Sequence, residues 1–224
     1  MKQKLVVLTI SFSPAHDITP LLLEALSSEQ IQKVSLLDGL SPAAISAGYE
    51  AQEGEESLVV QLPDGTPARL STSKVEQGLQ QLIGQLEARG AENILLLGGE
   101  QCSNLQAENA ALLAPDRLIP PLVSAMVAGY QAGIVIPAVD PLRQQAIKWR
   151  NLNPTARFAV ATPKEDSAEL IDAGLQLLEQ GADVVVLDGP GYLPRHGDLL
   201  EKMLGIPVLL SYRLLVKMAA ELLA

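Results

Sequence analysis

Two stretches of the chain repeat one design. Leu86-Glu87-Ala88-Arg89-Gly90-Ala91-Glu92-Asn93 runs into Ile94-Leu95-Leu96-Leu97-Gly98-Gly99, and Leu178-Glu179-Gln180-Gly181-Ala182-Asp183 runs into Val184-Val185-Val186-Leu187-Asp188-Gly189. Each reads as the end of a helix, a glycine stop, an apolar run of strand length and a glycine-containing turn. An unbroken Val/Leu/Ile run bounded in this way suits a strand buried on both faces, as in a parallel sheet covered by helices. Glycine after a helix is common by itself. The matching turns beyond the strands are what point to duplication of an α/β unit. Two such units facing each other would create a cleft lined by strand-end loops, where open α/β sheets bind ligands.

The rest of the chain keeps the same rhythm. Strands are expected at Leu5–Ile10, Lys33–Leu37, Ser57–Leu62, Ala68–Ser71, Asn93–Leu97, Gln131–Ile136, Arg157–Ala161, Val184–Leu187 and Val208–Leu210. Helices are expected at Ile18–Leu26, Ser73–Arg89, Ile119–Ala128, Asp140–Asn151, Ser167–Gln180, Pro194–Leu204 and Tyr212–Leu223. Asp64-Gly65 marks a hairpin between two of the strands. Aromatic residues make up only 3% of a chain that is 48% hydrophobic, so the core must be built from Leu, Val, Ile and Ala. Asp116-Arg117-Leu118-Ile119-Pro120-Pro121-Leu122 reads as a hinge between halves. The expected division is 1–117 with the last helix, 212–224, against 118–211.

A net charge of −10 argues against a nucleic-acid partner, which needs Lys and Arg against phosphates. A single cysteine excludes an internal disulfide and agrees with a reducing compartment. No apolar run approaches the roughly 20 residues that span a bilayer, and the first strand follows Lys4 at once, so a cytoplasmic chain with no membrane partner is expected. A Walker loop, a strand-associated Gly-x-Gly-x-x-Gly and a Cys/His cluster are all missing. The chain is therefore expected to use no cofactor and no metal. A homodimer is left open, since α/β proteins of this size often pair.

Candidate chemistry sits in the loops after the strands. The first is Thr9-Ile10-Ser11-Phe12-Ser13-Pro14-Ala15-His16-Asp17, where Thr9 and Ser11 are hydroxyl donors; Asp17 reads first as a helix cap. In Gly98-Gly99-Glu100-Gln101-Cys102, the glycines allow close backbone approach. Glu100 is a candidate general base, and Cys102 is either a proton-carrying thiol or an inert core residue. In Asp188-Gly189-Pro190-Gly191-Tyr192-Leu193-Pro194-Arg195-His196, Asp188 ends a buried strand and so needs partners or a functional cleft. Gly189 offers its amide, while Arg195 and His196 are either site residues or solvated ones. Thr162 adds a hydroxyl at another strand end, and Arg117 is either a carboxylate binder or half of an ion pair. Phe12 and Trp149 read as apolar anchors.

Several stretches together resemble the AroM family over essentially the full length. They are Leu8-Thr9-Ile10 with Pro14 and Asp17; Leu118-Ile119-Pro120-Pro121-Leu122-Val123-Ser124; Gly133-Ile134-Val135-Ile136-Pro137; Gln145 through Lys148-Trp149; Asp172-Ala173-Gly174; Gly181-Ala182-Asp183-Val184; Ile206-Pro207-Val208-Leu209-Leu210-Ser211; and Ala219-Ala220-Glu221-Leu222-Leu223. The resemblance implies an α/β fold similar to aspartate/glutamate racemases, with two pseudo-symmetric doubly wound halves around an interdomain cleft. Those enzymes invert a stereocentre with two opposed cysteines, one removing and one returning a proton. One cysteine cannot form that pair. Gly and Arg, common in the family's first loop, are replaced here by Ser11 and Ala15.

The expectation is a cleft binding a small carboxylate-bearing metabolite. Thr9, Ser11, Gly98, Gly99, Thr162 and Gly189 would supply donors, and Arg117 or Arg195 charge. Any isomerase- or lyase-like proton transfer would fall to Glu100 or Asp188, with Cys102 or His196 as partner. A non-catalytic sensor or interaction protein that retains the fold is the alternative.

Overall fold

A computed structural model describes all residues except 1–3, 13–16, 63, 100, 101, 103, 138–141, 164–167 and 224. The chain divides into two compact units. Unit 1 comprises Met1–Asp17, Leu22–Pro115 and Ala219–Ala224; unit 2 comprises Ile18–Leu21 and Asp116–Met218.

Unit 1 is built on a parallel sheet. Its strands are β1 (Leu5–Thr9), β2 (Ile31–Ser35), β5 (Asn93–Leu97) and β6 (Ala111–Leu113), in the order β2-β1-β5-β6. Every residue of β5 and all of β1 except Thr9 is buried, as the unbroken apolar runs require of central strands. The edge strand β2 carries exposed Gln32 and Lys33. Helix α1 (Thr19–Ala25) follows β1; helix α2 (Pro42–Tyr49), hairpin strands β3 (Ser57–Gln61) and β4 (Pro67–Ser71), and helix α3 (Thr72–Ala88) connect β2 to β5. The hairpin turn lies where Asp64-Gly65 places it; Asp64 Oδ1 accepts from the Thr66 hydroxyl at 2.6 Å and amide at 2.9 Å. On α3, Val75, Leu79, Ile83 and Leu86 recur every three to four residues and bury against Val6, Leu8, Ile94 and Leu96 of the sheet.

Unit 2 carries β7 (Ala132–Ile136), β8 (Arg157–Val160), β9 (Val184–Leu187) and β10 (Val208–Leu210) in the parallel order β10-β9-β7-β8. Its helices are α4 (Pro115–Met126), whose first residue is the last of unit 1, α5 (Leu142–Lys148), α6 (Ala168–Glu179), α7 (Pro194–Leu204) and α8 (Ser211–Glu221), which passes into unit 1 at Ala219. Helices α6 and α7 cover Val135, Val185, Leu187, Val208 and Leu210 on one face of the sheet. Because side chains alternate along a strand, Val186 and the residue after β9 point to the other face.

The two sheets share one plan. In both, the second strand in chain order lies beside the first, then come the third and the fourth, so the order reverses between first and third. The helix stops agree as well. Gly90 (φ +88°) and Gly181 (φ +84°) take the left-handed conformation open to glycine. Ala91 then donates to Leu86 and Ala182 to Leu177, both at 3.0 Å. Leu5 lies opposite Asn93, and Ala132 opposite Val184. That register makes Leu97 correspond to Asp188 and Gly98 to Gly189. Through β6 and β10, Pro115 corresponds to Ser211, the first residues of α4 and α8.

Two differences from the sequence expectation have plain causes. The Asp116–Leu122 segment begins at the boundary between the units, as expected, but is helical in α4 from its first residue rather than only from Ile119, although Pro120 and Pro121 lie inside that helix. The two prolines withhold the N–H groups that would bond the carbonyls of Asp116 and Arg117. Helix α2 and strand β6 were not expected: α2 buries only Ile45, and β6 is three residues long.

Between β5 and β6, unit 1 has an irregular loop where unit 2 has α7. A polar stripe on α3 ties this loop down. Glu76 accepts from the Asn104 amide at 2.9 Å, Gln80 both donates to and accepts from the Gln106 backbone, and Glu87 accepts from the amides of Asn109 and Ala110 at 2.6 and 2.8 Å. The Asn109 and Ala110 amides hold the Glu87 carboxyl below the usual glutamate value. Its stabilisation is thus complete above the unfolded-state value and is lost as pH falls through the lower folded-state one. Glu87→Gln is expected to lower the melting temperature at pH 7, with the gap to wild type closing as pH drops below the ordinary glutamate range. Thermal melts across pH 7 to 3 check this.

Candidate functional site

In sheets of this order, ligands bind beyond the carboxyl ends of the strands where the order reverses. In unit 1 those ends belong to β1 and β5. Thr9 and Leu97 pair in register, which brings the β1 loop beside Gly98 and Gly99. The Thr9 hydroxyl turns inward to the Ser11 carbonyl at 3.1 Å, and the Ser11 hydroxyl is buried without a hydrogen-bond partner among the described residues. Gly98 is exposed with φ +74°, and Gly99 is buried against Leu96. Glu100 lies outside the described residues. Cys102 is 4% exposed and belongs to the apolar core under α3, its amide donating to the Gly99 carbonyl at 2.9 Å. A hollow of about 280 Å³ in this unit is lined by Glu55, Glu56 and Glu76 with the hydroxyls of Ser71–Ser73. Its acidic wall does not suit a carboxylate. No group of His, Cys, Asp and Glu among the described residues could hold a metal ion.

In unit 2 the reversal lies between β7 and β9, and here the structure concentrates charge. Asp188 follows β9 and is 1% exposed. Its amide donates to the Val135 carbonyl at 2.9 Å, which continues the ladder. The carboxylate turns to the face away from α6 and α7. One oxygen, Oδ2, accepts from Lys148 Nζ at 2.6 Å and from the Trp149 indole N–H at 3.1 Å; Oδ1 accepts from the Ser211 hydroxyl at 2.9 Å. Lys148 ends α5, Trp149 follows it, and Ser211 begins α8, so the ends of two helices bring three donors to one carboxylate. The ammonium also lies 5.4 Å from the centre of the Trp149 ring, within reach of its π face. Next in the chain, Gly189 adopts φ +149°, and a Cβ there would stand 2.9 Å from Pro137 Cγ. The turn therefore both requires glycine and seats the carboxylate.

The remaining candidates lie in the same unit. Thr162 is half-buried just past Ala161, whose carbonyl accepts from the Tyr192 hydroxyl at 2.5 Å, tying the loops after β8 and β9 together. His196 is 2% exposed; its Nδ1 accepts from the Leu193 amide at 3.0 Å at the start of α7, and its ring meets Tyr192 edge to face. Arg195 is exposed on α7, and Arg117 is exposed in the first turns of α4. Asp188, expected from sequence to need partners, has three. The partners were not foreseen: Trp149 read as an apolar anchor, and neither Lys148 nor Ser211 as a site residue. The one signal for them was the cost of burying Asp188, which demands a nearby cation.

A family model described as AroM protein matches residues 5–223. The chain belongs to the AroM family. Among curated proteins no sequence matches it. Solved structures that resemble this AroM chain include a glycine-to-cysteine mutant of arylmalonate decarboxylase in its sulfate-associated form, at TM-score 0.60 and 14% identity over 98% of this chain and 92% of that one. An aspartate racemase homologue from Pyrococcus horikoshii matches at TM-score 0.58 and 12% identity over 98% of each chain. Glutamate racemase RacE1 from Bacillus anthracis matches at TM-score 0.57 and 13% identity over 99% and 81%. At such identities the likeness establishes the fold: this AroM chain has the α/β architecture of the aspartate/glutamate racemases. No helix among its described residues is long and apolar enough to cross a membrane.

Removing one member of a buried ion pair typically costs about 3–5 kcal/mol, whereas replacing both by apolar residues is often neutral or stabilising. Lys148→Met alone is therefore expected to destabilise the protein by about 3 kcal/mol, the lower end of that range, because the lysine is partly exposed. Lys148→Met with Asp188→Leu, which installs the residue unit 1 has at the corresponding place, should recover part of the loss, since the Trp149 indole and the Ser211 hydroxyl are left without their acceptor. Urea unfolding of the two variants and wild type measures both.

Proposed function

We propose that this AroM protein binds a small carboxylate-bearing metabolite at the carboxyl ends of the unit 2 strands and performs isomerase- or lyase-like chemistry on the bond beside that carboxylate. The observation that carries the reading is Asp188 with its three donors, a built polar centre at the reversal point of the sheet. The corresponding place in unit 1 holds Leu97, so the frame itself has no need of charge there. The fold neighbours point the same way by name: a decarboxylase of arylmalonates and racemases of aspartate and glutamate. Loss of carbon dioxide or of an α-proton leaves charge beside a carboxylate in each case, and donors fixed in a dry site stabilise it.

The chemistry cannot be a two-thiol racemisation within one chain, since Cys102 is the sole cysteine. Its burial in the apolar core of unit 1 favours a second reading, binding without turnover. In either case the proposal names a small molecule, and no nucleic acid, as the partner of this acidic chain. A thermal-shift screen against acetate, malonate, aspartate, glutamate and arylmalonates tests it. Ligand at 100 times its Kd adds about 2.7 kcal/mol, a shift readily seen. Each binder is then incubated in deuterium oxide and followed by proton NMR. Deuterium entering the carbon beside the carboxylate, or loss of that carboxylate, is the expected result. Binding with no exchange selects the sensor reading, and no shift with any carboxylate refutes both.

A further inference from the structure

The two charges at the centre of the unit 2 site are not equally accessible. Asp188 is 1% exposed, and both its oxygens are occupied, whereas the Lys148 side chain is 17% exposed. Of the pair, the lysine is the one whose side chain reaches solvent. It has three protons. One is given to Asp188, and among the described residues no other acceptor takes the remaining two.

The arrangement also holds the ammonium still. A lysine on a surface helix end samples many rotamers, and fixing it costs conformational entropy. Here the ammonium stands over the Trp149 ring, 5.4 Å from its centre, and Asp188 takes one N–H at 2.6 Å. Asp188 cannot swing away, because the Trp149 indole holds Oδ2 and the Ser211 hydroxyl holds Oδ1. The result is an ammonium set in place before any ligand arrives.

Stability does not explain this construction. The corresponding positions of unit 1 are filled by Leu97 and Pro115, where the same sheet plan closes with apolar residues. A half-buried ion pair is at best a weak source of stability compared with such packing.

We propose that Lys148 is the group that receives the carboxylate of the ligand, and that Asp188, Trp149 and Ser211 are its positioning residues. This rests on the carboxylate-binding reading above and names the residue that carries it. The ligand's carboxylate takes the two unoccupied N–H groups in charge-assisted hydrogen bonds. Lys148 exchanges no proton and forms no bond to carbon; it holds the carboxylate and opposes the charge that builds on it. Ligands whose carboxylate is replaced by a carboxamide are rejected, since the amide offers no charge and its NH₂ group faces an ammonium.

The test uses the full chain and the carboxylate that gives the largest thermal shift among malonate, aspartate and glutamate, with its amide analogue as control. Isothermal titration is run on wild type, on the double variant Lys148→Met with Asp188→Leu, and on Ser211→Ala. The Lys148 ammonium is followed in parallel by ¹⁵N NMR. The double variant is expected to melt cooperatively and to bind at least about tenfold more weakly, the loss of one charge-assisted pair. Ser211→Ala should weaken binding about threefold and broaden the Lys148 resonance, and the wild-type resonance should move along the calorimetric isotherm. Equal affinity of wild type and a folded double variant, or an ammonium signal that ignores the ligand, overturns the assignment while carboxylate binding stands. If neither these three nor any other carboxylate of the thermal-shift screen binds wild type, the carboxylate reading falls, and the role of Lys148 falls with it.

Discussion

A parallel strand buried on both faces has no room for a polar side chain along its length. Its backbone is satisfied by its neighbours and its side chains by the helices on either face, so polar chemistry is confined to the ends. In β5 and β9 every residue is buried, the one polar side chain, Asn93, stands at the first position of β5, and glycine follows closely in each turn. The first position free to differ is the one at which the strand stops. In unit 1 that position is Leu97 and in unit 2 Asp188, and that difference gives unit 2 its buried charge.

A carboxylate at such a place has to be matched by the elements around it. Asp188 draws Lys148 and Trp149 from the end of one helix and Ser211 from the start of another. The lysine comes from the last turn of α5, where a cation also suits the helix dipole, and Ser211 opens α8, whose N-terminal end favours a negative charge nearby. Fold and site are therefore built from the same parts. Helix α5, between β7 and β8, and helix α8, after β10, each bring one end to the carboxylate.

Much of this frame was legible in the residues. The apolar runs located the central strands β5 and β9 to the residue, and the Gly90 and Gly181 stops marked helix ends that take matching conformations. The Asp64-Gly65 hairpin and the amphipathic spacing of α3 were equally plain. Helix α2 was not, because Ala, Ser and Gly give it almost no apolar stripe. Strand β6 escaped because three residues carry no period. The helix expected at Ile119–Ala128 was found, with Pro120 and Pro121 inside α4 at the cost of two helical hydrogen bonds.

By itself the sequence determined the rhythm of strands and helices, the duplication, the exclusion of a two-thiol mechanism and the need for something to neutralise Asp188. These depend on residue type and on spacing along a few turns of chain. Only the tertiary structure decided what neutralises it, and which of the candidates are packed away. Lys148 and Ser211 lie far from Asp188 in the chain and meet it through the order of the strands. Cys102 and His196 become interior residues, Cys102 because its loop folds into the core under α3 and His196 because it lies on the buried face of α7. Local pattern encodes burial and period; it does not encode which distant side chain will stand 2.6 Å from a carboxylate. That distance is set by packing, the sum of many contacts to which no single stretch of sequence gives access.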